Sequence, residues 1–134
     1  MLFISIIANA TNKTNKNYDW SHVMNAIIQV ESKGNPKAHN LVGDCAGLLQ
    51  IRKCLVNECN NILKRQGSSK RYTYADRYNG EKSKEMFVLL QNHFNKEHNI
   101  EKAIVCWNAG FYGGWRGKAR GYLNKVMKYY NGGK

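Results

Sequence analysis

Ile27-Ile28-Gln29-Val30-Glu31-Ser32-Lys33-Gly34 ends an apolar run with a carboxylate, and Asn35 and Pro36 follow at once. Upstream, Val23, Ile27 and Val30 recur at helical spacing and Ser21 reads as an N-cap, so the segment predicts a helix from Ser21 to the Gly34-Asn35-Pro36 stop. An acid in the last turn is badly placed. The C-terminal end of a helix carries partial negative charge, and that field, with any burial on the apolar face, pushes a carboxyl pKa upward. A raised pKa suits a proton donor; the plainer reading is a solvated surface glutamate that tolerates the position at a cost of roughly a few tenths of a kcal/mol.

Working outward, helical periodicity dominates. After a loop from Lys37 to Asp44, the pattern Leu48, Ile51, Leu55, Ile62 predicts helical turns broken near Asn57 to Asn61 and ended by Gly67. Residues 68 to 80 are polar and Tyr-rich, and any strand pairing is expected around 69 to 78. Glu81 to Phe94 is amphipathic through Met86, Leu89, Leu90 and Phe94. Asn99 caps a helix from Ile100 to Asn108, the glycine-rich stretch Gly110 to Gly121 is a loop, and Tyr122 to Tyr130 reads as the last helix. The expected class is mainly α, a compact helical domain with at most a short hairpin.

At 134 residues and 43% hydrophobic, the chain fits one domain with a real core. Its 21 Lys and Arg against nine Asp and Glu give +12, spread from Lys13 to Lys134, so the whole surface attracts polyanions: nucleic acid, anionic lipid or the acidic polymers of a bacterial wall. Met1 to Ala10 is short and apolar, with a small-residue Ala8-Asn9-Ala10 pattern but no basic n-region. It reads as a partial export signal or a docking segment, too short to span a membrane, and a polar linker follows to residue 17. Cys45, Cys54, Cys59 and Cys106 form an even set that allows three pairings on export; Cys54 and Cys106, in apolar helical context, read equally as buried free thiols. No Cys-x-x-Cys pair exists and His22, His39, His93 and His98 lack metal-ligand spacing, so neither a metal nor a cofactor is expected.

Sorting the nine carboxylates by context leaves few candidates. Glu81, Glu85 and Glu101 fall in first turns or on solvated faces, Glu58 and Glu97 lie among polar residues, and Asp19 can cap the first helix. Asp76, beside Arg77, suits a structural pair or turn. Asp44, thirteen residues after Glu31 in a Gly-Asp turn, could be returned toward the same cleft or could serve only its own turn.

Four segments then cohere. Glu31-Ser32, Gly47-Leu48-Leu49-Gln50-Ile51, Trp107-Asn108-Ala109-Gly110 and Tyr122-Leu123-Asn124-Lys125-Val126 occur in the order and approximate spacing of the lysozyme-like lytic transglycosylases, and the resemblance covers about residues 20 to 130. The spacing of Asp44 also resembles goose-type lysozymes, which share that fold. The resemblance implies an α+β lysozyme-like catalytic domain over 18–131, with Glu31 as catalytic acid and Asp44 as a candidate second carboxylate. Ser32, Gln50 and Asn108 would line or organise the substrate site, and Tyr122 would orient Glu31. Cys106-Trp107 in place of a small residue and tyrosine, and no proline after Ile51, depart from the family pattern.

The implied activity is cleavage of the β-1,4 bond between N-acetylmuramic acid and N-acetylglucosamine in peptidoglycan. A lytic transglycosylase would leave 1,6-anhydromuramic ends; a lysozyme-like hydrolase would use Asp44 and water. Trp107, Tyr112 and Trp115 could stack on sugars, with core packing favoured for Trp107. The competing readings are non-catalytic: a basic module gripping glycan or nucleic acid, although no nucleic-acid motif is recognised. The expected protein is a monomer, exported or phage-associated.

Overall fold

The computed structural model describes residues 17–133. The expected apolar segment Met1 to Ala10 and nearly all of the linker lie outside the described residues. Five α-helices are found among the described residues: α1 (Ser21–Ser32), α2 (Lys53–Arg65), α3 (Gly80–Phe94), α4 (Ile100–Ala109) and α5 (Arg120–Tyr130). A two-stranded antiparallel hairpin pairs β1 (His39–Asn40) with β2 (Cys45–Ala46), in the register His39 to Ala46 and Asn40 to Cys45. The fold is mainly helical, as expected.

Trp20, Ile27, Leu49, Ile62, Met86, Phe87 and Leu90 are fully buried in one core. Helix α1 packs on α5 and α4, and α2 on α3. The first helix begins one residue earlier in function than its sequence suggests: Trp20 occupies the cap position, and the Asp19 carboxylate accepts from the Ser21 amide at 2.9 Å. The turn from α3 to α4 carries polar groups into the interior and satisfies them locally. The amide of Asn95 donates to Gln91 and to the Asn99 carbonyl and accepts from the Asn99 N–H at 3.0 Å, which avoids the cost of an unpaired buried amide.

Three local expectations are corrected. The hairpin lies at 39–46, not within 69–78. There, Tyr74–Tyr78 forms a 3-10 turn capped reciprocally by Thr73 and Asp76, and the preceding strand-like stretch pairs with a side chain: the Asn60 amide donates to the Tyr72 carbonyl at 2.9 Å and accepts its N–H at 2.8 Å. That use of Asn60 also explains why α2 runs unbroken through Asn57 to Asn61, with Val56, Cys59, Ile62 and Leu63 as its buried face. Finally, Ala46 to Ile51 is a folded loop rather than helix, closed by reciprocal bonds between Ala46 and Ile51, with Gly47 at φ +82° and Gln50 at φ 50°. Leu48 and Ile51 still enter the core, and their spacing of three mimics a helical period.

All four cysteines are free: Cys59 and Cys106 are buried, Cys45 is half-buried and Cys54, expected inside, is exposed. No described helix is long and apolar enough to cross a membrane.

Candidate active site

Glu31 occupies the last turn of α1, which ends at Ser32 because Lys33 and Gly34 both turn left-handed, at φ 52° and 80°. Its side chain is half-buried and lines a cleft of about 440 Å³, with Gln50 and Cys45 from the hairpin region, Asn108 from the end of α4, and Tyr122 and Lys125 from α5. Glu31 is the sole carboxylate on those walls among the described residues. Burial raises its pKa above the ordinary carboxylate value; the nearby Tyr122 hydroxyl and the Arg52 charge offset part of that rise.

Tyr122 faces this acid. Burial, and then the charge of Glu31, push its phenol well above the ordinary value, yet the hydroxyl makes no hydrogen bond of regular geometry among the described residues. The two groups are close enough to shift each other but not drawn into a tight bond.

The loop that carries Gln50 is fixed by its carbonyl partners, since an irregular buried backbone must find donors. The Ser32 hydroxyl donates to the Leu48 carbonyl at 2.7 Å, the Trp107 indole to the Leu49 carbonyl at 3.0 Å, and the Arg77 guanidinium to the Ile51 carbonyl at 3.1 Å. Gln50 then donates its amide to the carbonyls of Ala38 and Gly47 at 3.2 and 3.1 Å, which leaves its oxygen available. Ser32 therefore ties the Glu31 helix to the Gln50 loop, and the residue itself is not among those lining the cleft. Asn108 is exposed into the cleft, just before Gly110 at φ +95° stops α4.

Asp44 stands apart. It sits on the hairpin turn, where His39 donates to its carboxylate at 2.7 Å and Lys53 and Arg77 approach at 3.5 and 3.6 Å. The hydrogen bond from His39, with those two charges, holds its pKa below the usual carboxylate range. Its carbonyl also accepts from the buried Arg77 at 2.8 Å. Asp44 does not line the Glu31 cleft.

Of the aromatic candidates, Trp107 is buried against Phe87, as core packing required. Tyr112 donates to Glu58 at 2.9 Å on a separate open hollow of about 450 Å³, and Trp115 lies half-buried under Arg116; neither lines the cleft. The hollow offers no free acid, because Glu58 also pairs with Arg65. Arg52 and Lys125 escaped the sequence reading. Arg52 follows directly on Gly-Leu-Leu-Gln-Ile, at the position where proline was missing, and that replacement was the available signal. No group of three side chains able to hold a metal ion occurs among the described residues.

A family model described as a transglycosylase SLT domain matches residues 8–127. No curated protein matches the chain.

Proposed function

The chain belongs to the transglycosylase SLT domain family, whose activity is of the lytic transglycosylase type on peptidoglycan, and from that premise we propose that it cuts the β-1,4 bond between N-acetylmuramic acid and N-acetylglucosamine without water, with Glu31 as acid and then base. The observation that carries this reading is a cleft with one carboxylate, half-buried and protonated more readily than an ordinary glutamate. Glu31 donates its proton to the bridging oxygen as the C1–O bond breaks, and the leaving sugar departs as an alcohol. The substrate's own acetamido oxygen stabilises C1, which replaces the second carboxylate that many glycosidases need. The Glu31 carboxylate then takes the C6 hydroxyl proton, O6 closes on C1, and Glu31 is protonated again. Gln50 and Asn108 hold the sugars from the two walls, Tyr122 orients Glu31, and Ser32 positions the Gln50 loop. Asp44 serves the hairpin in this reading. With its substrate in the cell wall, the protein acts after export or phage delivery.

The reading predicts a pH profile. Cleavage requires protonated Glu31, so kcat/KM falls as pH rises through a Glu31 pKa lying above the ordinary carboxylate value. In Tyr122→Phe, a group that favours the carboxylate is gone. The falling limb therefore moves to higher pH while the plateau rate drops about tenfold, and the melting temperature stays close to that of wild type because the lost hydroxyl makes no hydrogen bond of regular geometry among the described residues. An unmoved limb with a normal rate would remove Tyr122 from the site.

A further inference from the structure

A recess of about 190 Å³ adjoins the Glu31 cleft, sharing Gln50 and Asn108 with it and adding Arg52, Leu55 and Trp107. The chain has six arginines, and among the described residues five have partners. Arg65, Arg77 and Arg120 pair with carboxylates, Arg71 donates to the carbonyls of Ser68 and Lys70, and Arg116 lies over Trp115. Arg52 is exposed and has no ion pair among the described residues. Its guanidinium rests against the hairpin at Gly43, where an added Cβ would stand 3.4 Å from its carbon. It is a fork-shaped cation whose donors meet no acceptor among the described residues, beside the recess that continues the cleft.

We propose that Arg52 is a specificity-determining residue that binds a carboxylate on the side branch of the glycan, so that the enzyme selects anionic over charge-neutral glycan; this rests on the transglycosylase reading above. Guanidinium and carboxylate match bidentately, and the partly apolar wall of Leu55 and Trp107 suits the methyl group that neighbours such a carboxylate on a lactyl ether or an alanine. The charge economy of the site points the same way. An unneutralised Arg52 holds the Glu31 pKa down and so works against the proton donor. A substrate carboxylate on Arg52 lifts that opposition as the substrate seats. The carboxylate has two sources, the lactyl group itself once peptides are stripped, or the peptide stem.

The test compares wild type, Arg52→Gln and Arg52→Lys on three substrates: intact peptidoglycan, peptide-stripped glycan, and peptidoglycan whose carboxylates have been amidated. Lys84→Gln, a basic residue beside Glu81 and Glu85 away from both recesses, corrects for general loss of attraction to a basic surface. Arg52→Gln is expected to lose about tenfold more in kcat/KM on a carboxylate-bearing substrate than on the amidated one, with Arg52→Lys between, since it keeps charge but not the fork. The amidated substrate shows how far the loss of the Arg52 charge acts through Glu31, and the losses on the other two are read relative to it. A loss confined to stripped glycan assigns the lactyl carboxylate, and one confined to intact peptidoglycan the stem. Equal losses on charged and neutral substrates, or no loss on any, overturn the proposal. If wild type cleaves none of them, the transglycosylase reading fails instead, and co-sedimentation of the same three glycans with Glu31→Gln protein, with and without Arg52→Gln, still decides Arg52.

Discussion

Glu31→Gln is expected to fold as the wild type does and to lose at least about two orders of magnitude in glycan cleavage, the ordinary scale of acid–base catalysis. Glutamine keeps the size and much of the hydrogen bonding of the acid while removing the transferable proton. A second readout follows from linkage. Burial raises the Glu31 pKa in the folded protein above its unfolded value, so the stability tied to its protonated form is full below the unfolded value and is lost as pH rises through the folded pKa. Glutamine has no such dependence. The variant should therefore melt higher than wild type at neutral pH and approach it under acid, a trade of stability against function common in active sites. Near-normal lysis by a folded Glu31→Gln protein would remove the acid from the mechanism, and thermal melts across pH check the linkage independently.

Gly47→Ala should be the most damaging single substitution to the fold. At Gly47 the backbone is left-handed, and an added Cβ would sit 1.7 Å from the Arg77 carbonyl oxygen and 2.8 Å from its carbon. That neighbour cannot yield cheaply. Arg77 is buried, its guanidinium holds the carbonyls of Asp44, Ile51 and Tyr74, and its own carbonyl accepts from the Ser83 hydroxyl at 2.8 Å. The clash thus reaches the hairpin, the Gln50 loop and the start of α3 together. A loss of at least about 3 kcal/mol is expected, at the large end for one substitution, with a melting temperature lower by on the order of 10 °C. Gly34→Ala serves as its comparison: the backbone is equally left-handed but nothing lies within 4 Å, so only the conformational cost of roughly 1 kcal/mol remains. Equal melting temperatures for the two variants would show that the Arg77 contact is not what Gly47 protects.

The parts of this protein written in contiguous residues were legible in the sequence. Gly34-Asn35-Pro36 stops α1 and fixes Glu31 in its last turn, and Gly110 ends α4 just past Asn108, because stop signals and periodicity are local. The hairpin was not legible where it forms, since strands of two residues carry no alternation to read. Leu48 and Ile51 misled for a different reason: a loop pinned by Ser32, Trp107 and Arg77 buries side chains as a helix would. Those three donors come from remote positions, and no spacing in the sequence foretells them. Asp44 shared a turn with His39 five residues away, and that partner, with Lys53 and Arg77, holds its carboxylate at the hairpin. Arg52 looked like one more cation on a basic surface until the partners of the other arginines were known.

The most direct test of the central claim is the mass of the products released from purified peptidoglycan. Cleavage by Glu31 with the substrate's own C6 hydroxyl leaves each new muramic end lighter by one water than a hydrolysed end, and wild type and Asp44→Asn alike should give anhydro ends. Hydrolysed ends from the wild type, abolished by Asp44→Asn, would contradict the account and put Asp44 and a water molecule in the mechanism.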